Sequence, residues 1–218
     1  MLMVENSDVD IILLNETRLK SVHTFKVPGF DCYRVDRERS RGGGVAILIR
    51  NNISHCQFKL PETKMIEAVA IMINVDAKPL LLVSAYCPKQ GGEFKSDLDK
   101  LIAAASAVIV AGDLNAKHSF WNCKKSNKNG RTLLDLMSIR EFNVEFPDKH
   151  TYYRKNASST LDIALCKDVP SLTPLETLQQ LSSDHLPVKF SLGGPVERAD
   201  RTCLVSVSYT HLTLPTKA

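Results

Sequence analysis

The sequence predicts a mixed α/β domain built on packed mixed sheets rather than on one parallel, doubly wound sheet. Three observations carry that reading. Short β-branched apolar runs recur along the chain, two of them are separated by a tight hairpin signal, and only two segments carry helical apolar spacing.

Val9–Leu14 reads as a buried strand, and Gly44–Ile49 as another launched from the turn Gly42-Gly43-Gly44. Glu67–Val75 and Leu80–Tyr86 flank Asp76-Ala77-Lys78-Pro79, a hairpin signal. Ala107–Ala111, Leu161–Leu165 and Pro187–Phe190 complete the predicted strands. A helix over Phe94–Ala105 places Phe94, Leu98, Leu101 and Ile102 on one face. A second over Arg131–Phe142, with Gly130 just before it, places Leu133, Leu134, Met137 and Phe142 inward.

The 218 residues suit one domain with a single large core. The domain is expected over 1–193. Residues 194–218 are expected to be disordered and non-native, because their pattern belongs to no element and Val207–Ala218 resembles translated adapter sequence. A net charge of +4 permits nucleic-acid binding without demanding it. Six scattered cysteines without a C-x-x-C pair argue against a zinc site or a disulfide framework. With no signal peptide and no membrane-length apolar stretch, the nucleus or cytoplasm is the expected compartment, with no membrane and no obligate protein partner.

The chemistry gathers at the ends of apolar runs. Glu16 follows the first strand, Gly112-Asp113-Leu114-Asn115 closes another, and Ser182-Ser183-Asp184-His185 precedes the last. Hard carboxylate oxygens suit a cation such as Mg²⁺ or Mn²⁺. An acid and an amide at i and i+2 of an extended segment share a side and can hold and activate a water. Asp162 lies within an apolar strand and requires a partner, because an unpaired buried charge is very costly, and His185 is the candidate. An adjacent acid would raise that histidine toward imidazolium, suited to a phosphate oxygen. Tyr86 can donate its hydroxyl to a phosphate. Arg41, Lys117, His118, Trp121, Lys124 and Lys125 form basic loops with one aromatic interleaved, a pattern suited to DNA phosphates. Each feature has a plain structural alternative: a solvated strand-end acid for Glu16, an Asx turn for Asp113 and Asn115, an exposed strand face for Asp162, a surface loop for Asp184-His185 and for each basic residue.

In combination and in this order, Glu16, Tyr86-x-Pro88, Gly112-Asp-x-Asn115, Leu161-Asp162 and Ser183-Asp184-His185 resemble the endonuclease/exonuclease/phosphatase family over about residues 5–192. Gly112–Trp121, Asn129-Gly-Arg131, Ser159–Ala164 and Leu181–Pro187 are similar to the endonuclease domain of jockey-type non-LTR retrotransposons. The resemblance implies a four-layer α/β sandwich, two mixed β-sheets flanked by helices, and a Mg²⁺-dependent nick in DNA. The 3′-hydroxyl would prime a fused reverse transcriptase domain in the parent element. It implies Glu16 and Asp184 at the metal, Asp113 activating water, Asn115 and Tyr86 on the phosphate, and Asp162 orienting a His185 that stabilises phosphate charge. Lys89 stands where apurinic endonucleases carry Asn after Tyr-x-Pro, which favours a nickase over an abasic-site enzyme. The alternatives are an inositol-phosphate or sphingolipid phosphoesterase of the same family, and an inactive remnant that only binds nucleic acid. The family's first strand, ending in an Asn near the metal, has no counterpart, so roughly 20–30 residues by ordinary element lengths are expected to be lost. The expected consequence is a sheet with unpaired N–H and C=O groups along Val9–Leu14 or an adjacent strand, and an unstable, nearly inactive chain.

Overall fold

Alternating apolar runs pair here into two six-stranded sheets packed face to face. The computed structural model describes residues 9–38, 42–155, 157–169, 171–179 and 183–193, and the backbone of 201–208. The first sheet runs β12 (Glu176–Thr177), β13 (Val188–Leu192), β14 (Arg201–Ser208), β1 (Ile11–Asn15), β3 (Val45–Arg50), β2 (Phe30–Val35). The second runs β4 (His55–Phe58), β5 (Glu67–Val75), β6 (Lys78–Tyr86), β7 (Val108–Asp113), β11 (Asp162–Lys167), β8 (Asn143–Glu145). A small hairpin, β9 (Tyr152–Arg154) and β10 (Ala157–Ser159), stands apart.

The period-two pattern sorts the side chains. On β7, Ile109 and Ala111 enter the core between the sheets, while Val108 and Val110 enter the core on the opposite face. That second core is roofed by α1 (Phe94–Ile102) and α2 (Lys128–Arg140) through Phe94, Leu98, Leu101, Leu133 and Leu136. The outer face of the first sheet is covered, among the described residues, by Phe25 and Val27 of the loop before β2 and by Leu178. The mixed two-sheet sandwich is therefore present. Among the described residues its helices lie on the second sheet alone.

Three expectations need correction. First, α2 begins at Lys128, not after Gly130. Asn127 caps it, its Oδ1 accepting from the Gly130 N–H at 2.8 Å. Gly130 belongs to the first turn because a Cβ there would lie 1.9 Å from the Lys117 carbonyl oxygen, so this glycine marks close approach rather than a boundary. Second, α1 stops at Ile102, where the Ala103 and Ala104 N–H groups bond back to Asp99 and Leu101 carbonyls and the chain turns toward β7.

The third correction concerns the ends. β1 is paired on both sides: antiparallel to β3, and parallel to β14, with Ile11 opposite Cys203 and Asn15 opposite Ser208. β14 also pairs antiparallel with β13, Val188 opposite Val205 through Leu192 opposite Arg201. Residues 201–208 thus fill the position beside β1 that the sequence reading left empty, and the expectation of a disordered tail fails for them. The remainder of 194–218 lies outside the described residues. Among the described residues, no helix is long and apolar enough to cross a membrane.

Candidate active site

One edge of the sandwich gathers the end of β1, the ends of β6 and β7, the start of β11 and the loop entering β13. Its foundation is Asn15, a fully buried residue that links the two sheets. Its Oδ1 accepts from the Asp113 N–H at 2.8 Å, and its Nδ2 donates to Ser84 Oγ at 3.3 Å. Ser84 Oγ in turn donates to the Leu14 carbonyl at 3.3 Å. A buried amide must find such partners or lose its hydration uncompensated, so the pairing fixes where β1 ends relative to β7. Gly112 makes the approach possible. Its φ is +146°, and a Cβ would lie 2.1 Å from Ala85 O and 2.5 Å from Asn15 Oδ1.

Asp162 and His185 meet as expected. His185 Nδ1 lies 2.8 Å from Asp162 Oδ2, and Nε2 lies 3.9 Å from Asp113 Oδ2. Asp162 and Asp113 are themselves directly opposite in the β7–β11 register, and all three side chains are buried. The Tyr152 ring flanks the imidazole, centroids 4.8 Å apart. Burial works against a charged imidazole, but the charge and hydrogen bond of Asp162, then Asp113 and Glu16, outweigh it and raise His185 to about 9. Burial, and next the Asp162 charge, push the Asp113 carboxyl well above the ordinary carboxylate range. At neutral pH His185 is therefore an imidazolium, with Nδ1–H donated to Asp162 and Nε2–H directed toward Asp113.

Asp113 and Asn115 are brought together, though not by an extended segment. Asn115 takes a left-handed φ of +45°, and Asp113 Oδ1 accepts its N–H at 2.9 Å. This is an Asx-type turn, the structural alternative raised for the pair, and it sets the two side chains side by side. Asn115 Nδ2 donates to Cys87 O at 3.0 Å and points past Asp113 Oδ2 at 3.5 Å. Asn127 Nδ2 bonds the Asn115 carbonyl at 2.8 Å, so the cap of α2 also steadies this turn.

On the other side of the opening, the Tyr86 hydroxyl donates to Glu16 Oε1, and Arg18 Nη2 lies 3.5 Å from Glu16 Oε2. Burial first, then the Glu16 contact, raise the Tyr86 phenol, so it remains a donor. Arg37, not anticipated from sequence, lies 5.8 Å over the Tyr86 ring and pairs with Glu67, whose Oε2 accepts from the Gly44 N–H at 2.7 Å. The run Arg37-x-x-x-Arg41-Gly-Gly-Gly was the available signal, but it pointed to Arg41, which lies outside the described residues. Asn15 was equally readable as an amide closing an apolar run.

The predicted DNA contacts divide. Lys124 and Lys125 are exposed, and Lys117 and His118 are half-buried. His118 Nδ1 accepts from the Phe120 N–H at 3.1 Å and so caps a short 3₁₀ turn. Trp121 is a correction. It is fully buried in the helix-side core and donates Nε1–H to Ala116 O at 2.9 Å, so its ring is unavailable to DNA.

Among the described residues, no three His, Cys, Asp or Glu side chains are arranged as a ready-made metal cage. That does not disqualify the donor set. Mg²⁺ retains several waters and needs only one or two carboxylates beside substrate oxygens. Glu16 is half-buried at the opening, its charge acts on both Asp113 and His185, and Asp184 presents an exposed side chain next to His185. Such oxygens suit a hard divalent cation.

Residues 80–189 match the family model described as endonuclease-reverse transcriptase. The chain belongs to the endonuclease/exonuclease/phosphatase family. Within it, the chain is 31% identical over 200 residues to the probable RNA-directed DNA polymerase from transposon X-element of Drosophila melanogaster, covering 87% of this chain and 22% of that protein. It is 25% identical over 207 residues to the RNA-directed DNA polymerase from mobile element jockey of Drosophila funebris, covering 91% of this chain and 22% of that one. The chain thus spans about a fifth of the length of these family relatives. Among solved structures, the endonuclease domain of TRAS1, a telomere-specific non-LTR retrotransposon, superposes with a TM-score of 0.67 at 18% identity, over 83% of this chain and 96% of that one. The Xenopus laevis APE2 catalytic domain superposes with a TM-score of 0.63 at 15% identity, over 95% and 88%. At those identities the likeness establishes the family fold.

Proposed function

We propose that this domain is a Mg²⁺-dependent phosphodiesterase that nicks DNA, serving in its parent element to expose a 3′-hydroxyl for a fused reverse transcriptase. The observation that carries the reading is the array Asp162–His185–Asp113, a buried imidazolium between two carboxylates at the mouth where Glu16, Tyr86 and Asn115 converge. Asp113 accepts the proton of the attacking water, its raised pKa bringing it nearer the working pH of a general base. His185 places a fixed positive charge where the pentavalent phosphate gains negative charge, and Asp162 holds its ring and tautomer. Asn115 supplies a neutral donor to a phosphate oxygen, and Tyr86 supplies another when its single O–H turns from Glu16 to the substrate. Glu16, with Asp184 as the second carboxylate, would hold the cation, which supplies Lewis-acid polarisation of the phosphate. Lys124 and Lys125 contact the DNA backbone.

The test is relaxation of supercoiled plasmid by the purified chain with Mg²⁺, with Mn²⁺ and with chelator, beside hydrolysis of an inositol phosphate. Metal-dependent nicking that Glu16→Gln and His185→Ala suppress is expected. Turnover of the inositol phosphate without plasmid nicking would transfer the site to soluble phosphoesters, and binding of DNA without turnover would make the chain a remnant.

A further inference from the structure

Thr151 lies in none of the motifs that carry the chemistry, yet it touches both arms of the site. It is fully buried at the start of the β9–β10 hairpin. Its Oγ1 accepts from the Leu161 N–H at 3.0 Å and the Asp162 N–H at 3.1 Å, at the point where β11 begins. Its carbonyl accepts from the Leu186 N–H at 2.7 Å, and two residues on the Tyr153 N–H donates to the Asp184 carbonyl at 2.8 Å. Those two bonds form an isolated antiparallel bridge that sets Tyr152 opposite His185. Its own N–H is bonded to Ser159 O at 3.2 Å.

One residue thus grips the strand carrying Asp162 by its side chain and the loop carrying His185 by its backbone. Asp162 and His185 are 23 positions apart, Asp162 at the start of β11 and His185 in the loop entering β13, a strand of the other sheet. We propose that Thr151 is the positioning residue of the Asp162–His185 pair, its hydroxyl oxygen registering β11 against the hairpin that in turn holds the His185 loop. This rests on the endonuclease reading for its effect on turnover, but not for its effect on the pair itself.

Two N–H groups converge on one hydroxyl oxygen in a dry interior. Without it both donors lose this shared acceptor, and the start of β11 shifts to compensate. A shift of about 1 Å at such a distance from the chemistry can cost on the order of 100-fold in rate. Serine retains the acceptor, whereas valine retains the shape alone.

The experiment compares Thr151→Val, Thr151→Ala and Thr151→Ser with the unaltered chain. The first readout is the downfield proton resonance of the imidazole N–H bonded to Asp162, assigned by its loss in His185→Ala. The second is plasmid-nicking kcat and KM at saturating Mg²⁺. The expected result is loss or exchange broadening of the resonance in the valine and alanine variants, with kcat lowered at least 10-fold and KM changed under 3-fold, and recovery of both in the serine variant. The resonance reads the proposal even if the chain nicks no DNA, which separates its failure from that of the endonuclease reading. A sharp, unmoved resonance in folded Thr151→Val overturns it, as does a serine variant that behaves like valine. Global unfolding of both acceptor-free variants beside a stable serine variant overturns it too, because the hydroxyl would then serve the fold at large.

Discussion

Asp113 and Asp162 stand directly opposite each other on β7 and β11, and His185 is bonded to one and 3.9 Å from the other. Opposed like charges destabilise a strand pair, so the imidazolium is what allows both carboxylates to share the buried edge. His185→Ala should lower plasmid-nicking kcat by roughly 10²–10³-fold, the loss typical of a removed electrostatic stabiliser. The fold should persist, because Asp113 can take up a proton instead of remaining charged. A variant nicking at the unaltered rate would remove His185 from the mechanism.

The same group makes stability depend on pH. His185 is near 6.5 when unfolded and about 9 when folded, so its contribution is complete below about pH 6.5 and is lost as pH rises through 9. Asp113, also raised in the fold, acts with the same sign: its ionisation favours the unfolded chain as pH climbs. In metal-free buffer the melting temperature should fall from about pH 6.5 to about 9, and His185→Ala should flatten the upper part of the fall. A melting temperature that rises over that window would contradict the assignment.

Gly112→Ala should cost about 1–3 kcal/mol from backbone strain alone, with a further penalty because the added Cβ collides with Ala85 O and Asn15 Oδ1. The Asn15–Asp113 bond is the first contact to yield, so nicking should fall with stability. Thermal denaturation and kcat measured together check this. A stable, active Gly112→Ala chain would mean the edge is far looser than its contacts indicate.

Lys124 and Lys125 should report on DNA without touching the fold. Neutralising both should flatten the salt dependence of DNA binding by about one slope unit per lost phosphate contact. Trp121→Ala should do the reverse, costing roughly 3–5 kcal/mol of stability as a core cavity and altering DNA affinity only as far as the chain unfolds. Equal melting temperatures with weakened binding would return Trp121 to the DNA surface.

Removing residues 194–218 should destabilise the chain, contrary to what their composition suggests. β14 has four aligned partners on β1 and five on β13. At ~1 kcal/mol net per hydrogen bond, its loss approaches the net stability of an ordinary domain, about 5–15 kcal/mol. A truncated chain that melts at the temperature of the full one would place β14 outside the native sheet.

The candidate site residues were legible because each interrupts or borders an apolar run, where a charge is conspicuous. Glu16, Asp113, Asp162 and His185 all declare themselves in that way. The long central strands were legible for the converse reason, being nearly all apolar. What stayed hidden was set by tertiary partners. β2 and β4 are edge strands with mostly half-exposed residues, and their polar pattern reads as loop. β14 takes its structure from the gap between β1 and β13 rather than from its own periodicity. The left-handed Asn115, Gly130 inside α2 and Trp121 in the core each depend on a neighbour distant in sequence. Asn15 and Thr151 carry no charge to attract notice, and only the hydrogen-bond geometry reveals what they hold.

β14 also dictates the order in which the protein can be born. The second sheet draws its strands from residues 55–167, and nearest neighbours in the chain supply most of its pairs. It can assemble while the ribosome is still elongating. The first sheet cannot, because β1 waits for a partner more than 190 positions downstream, Ile11 for Cys203. Such distant pairing is slow to close and leaves apolar strand edges open meanwhile. Asp113 and Asp162 can therefore align once β11 has emerged while Glu16 is still adrift, and the candidate site is completed only after β14 has been translated.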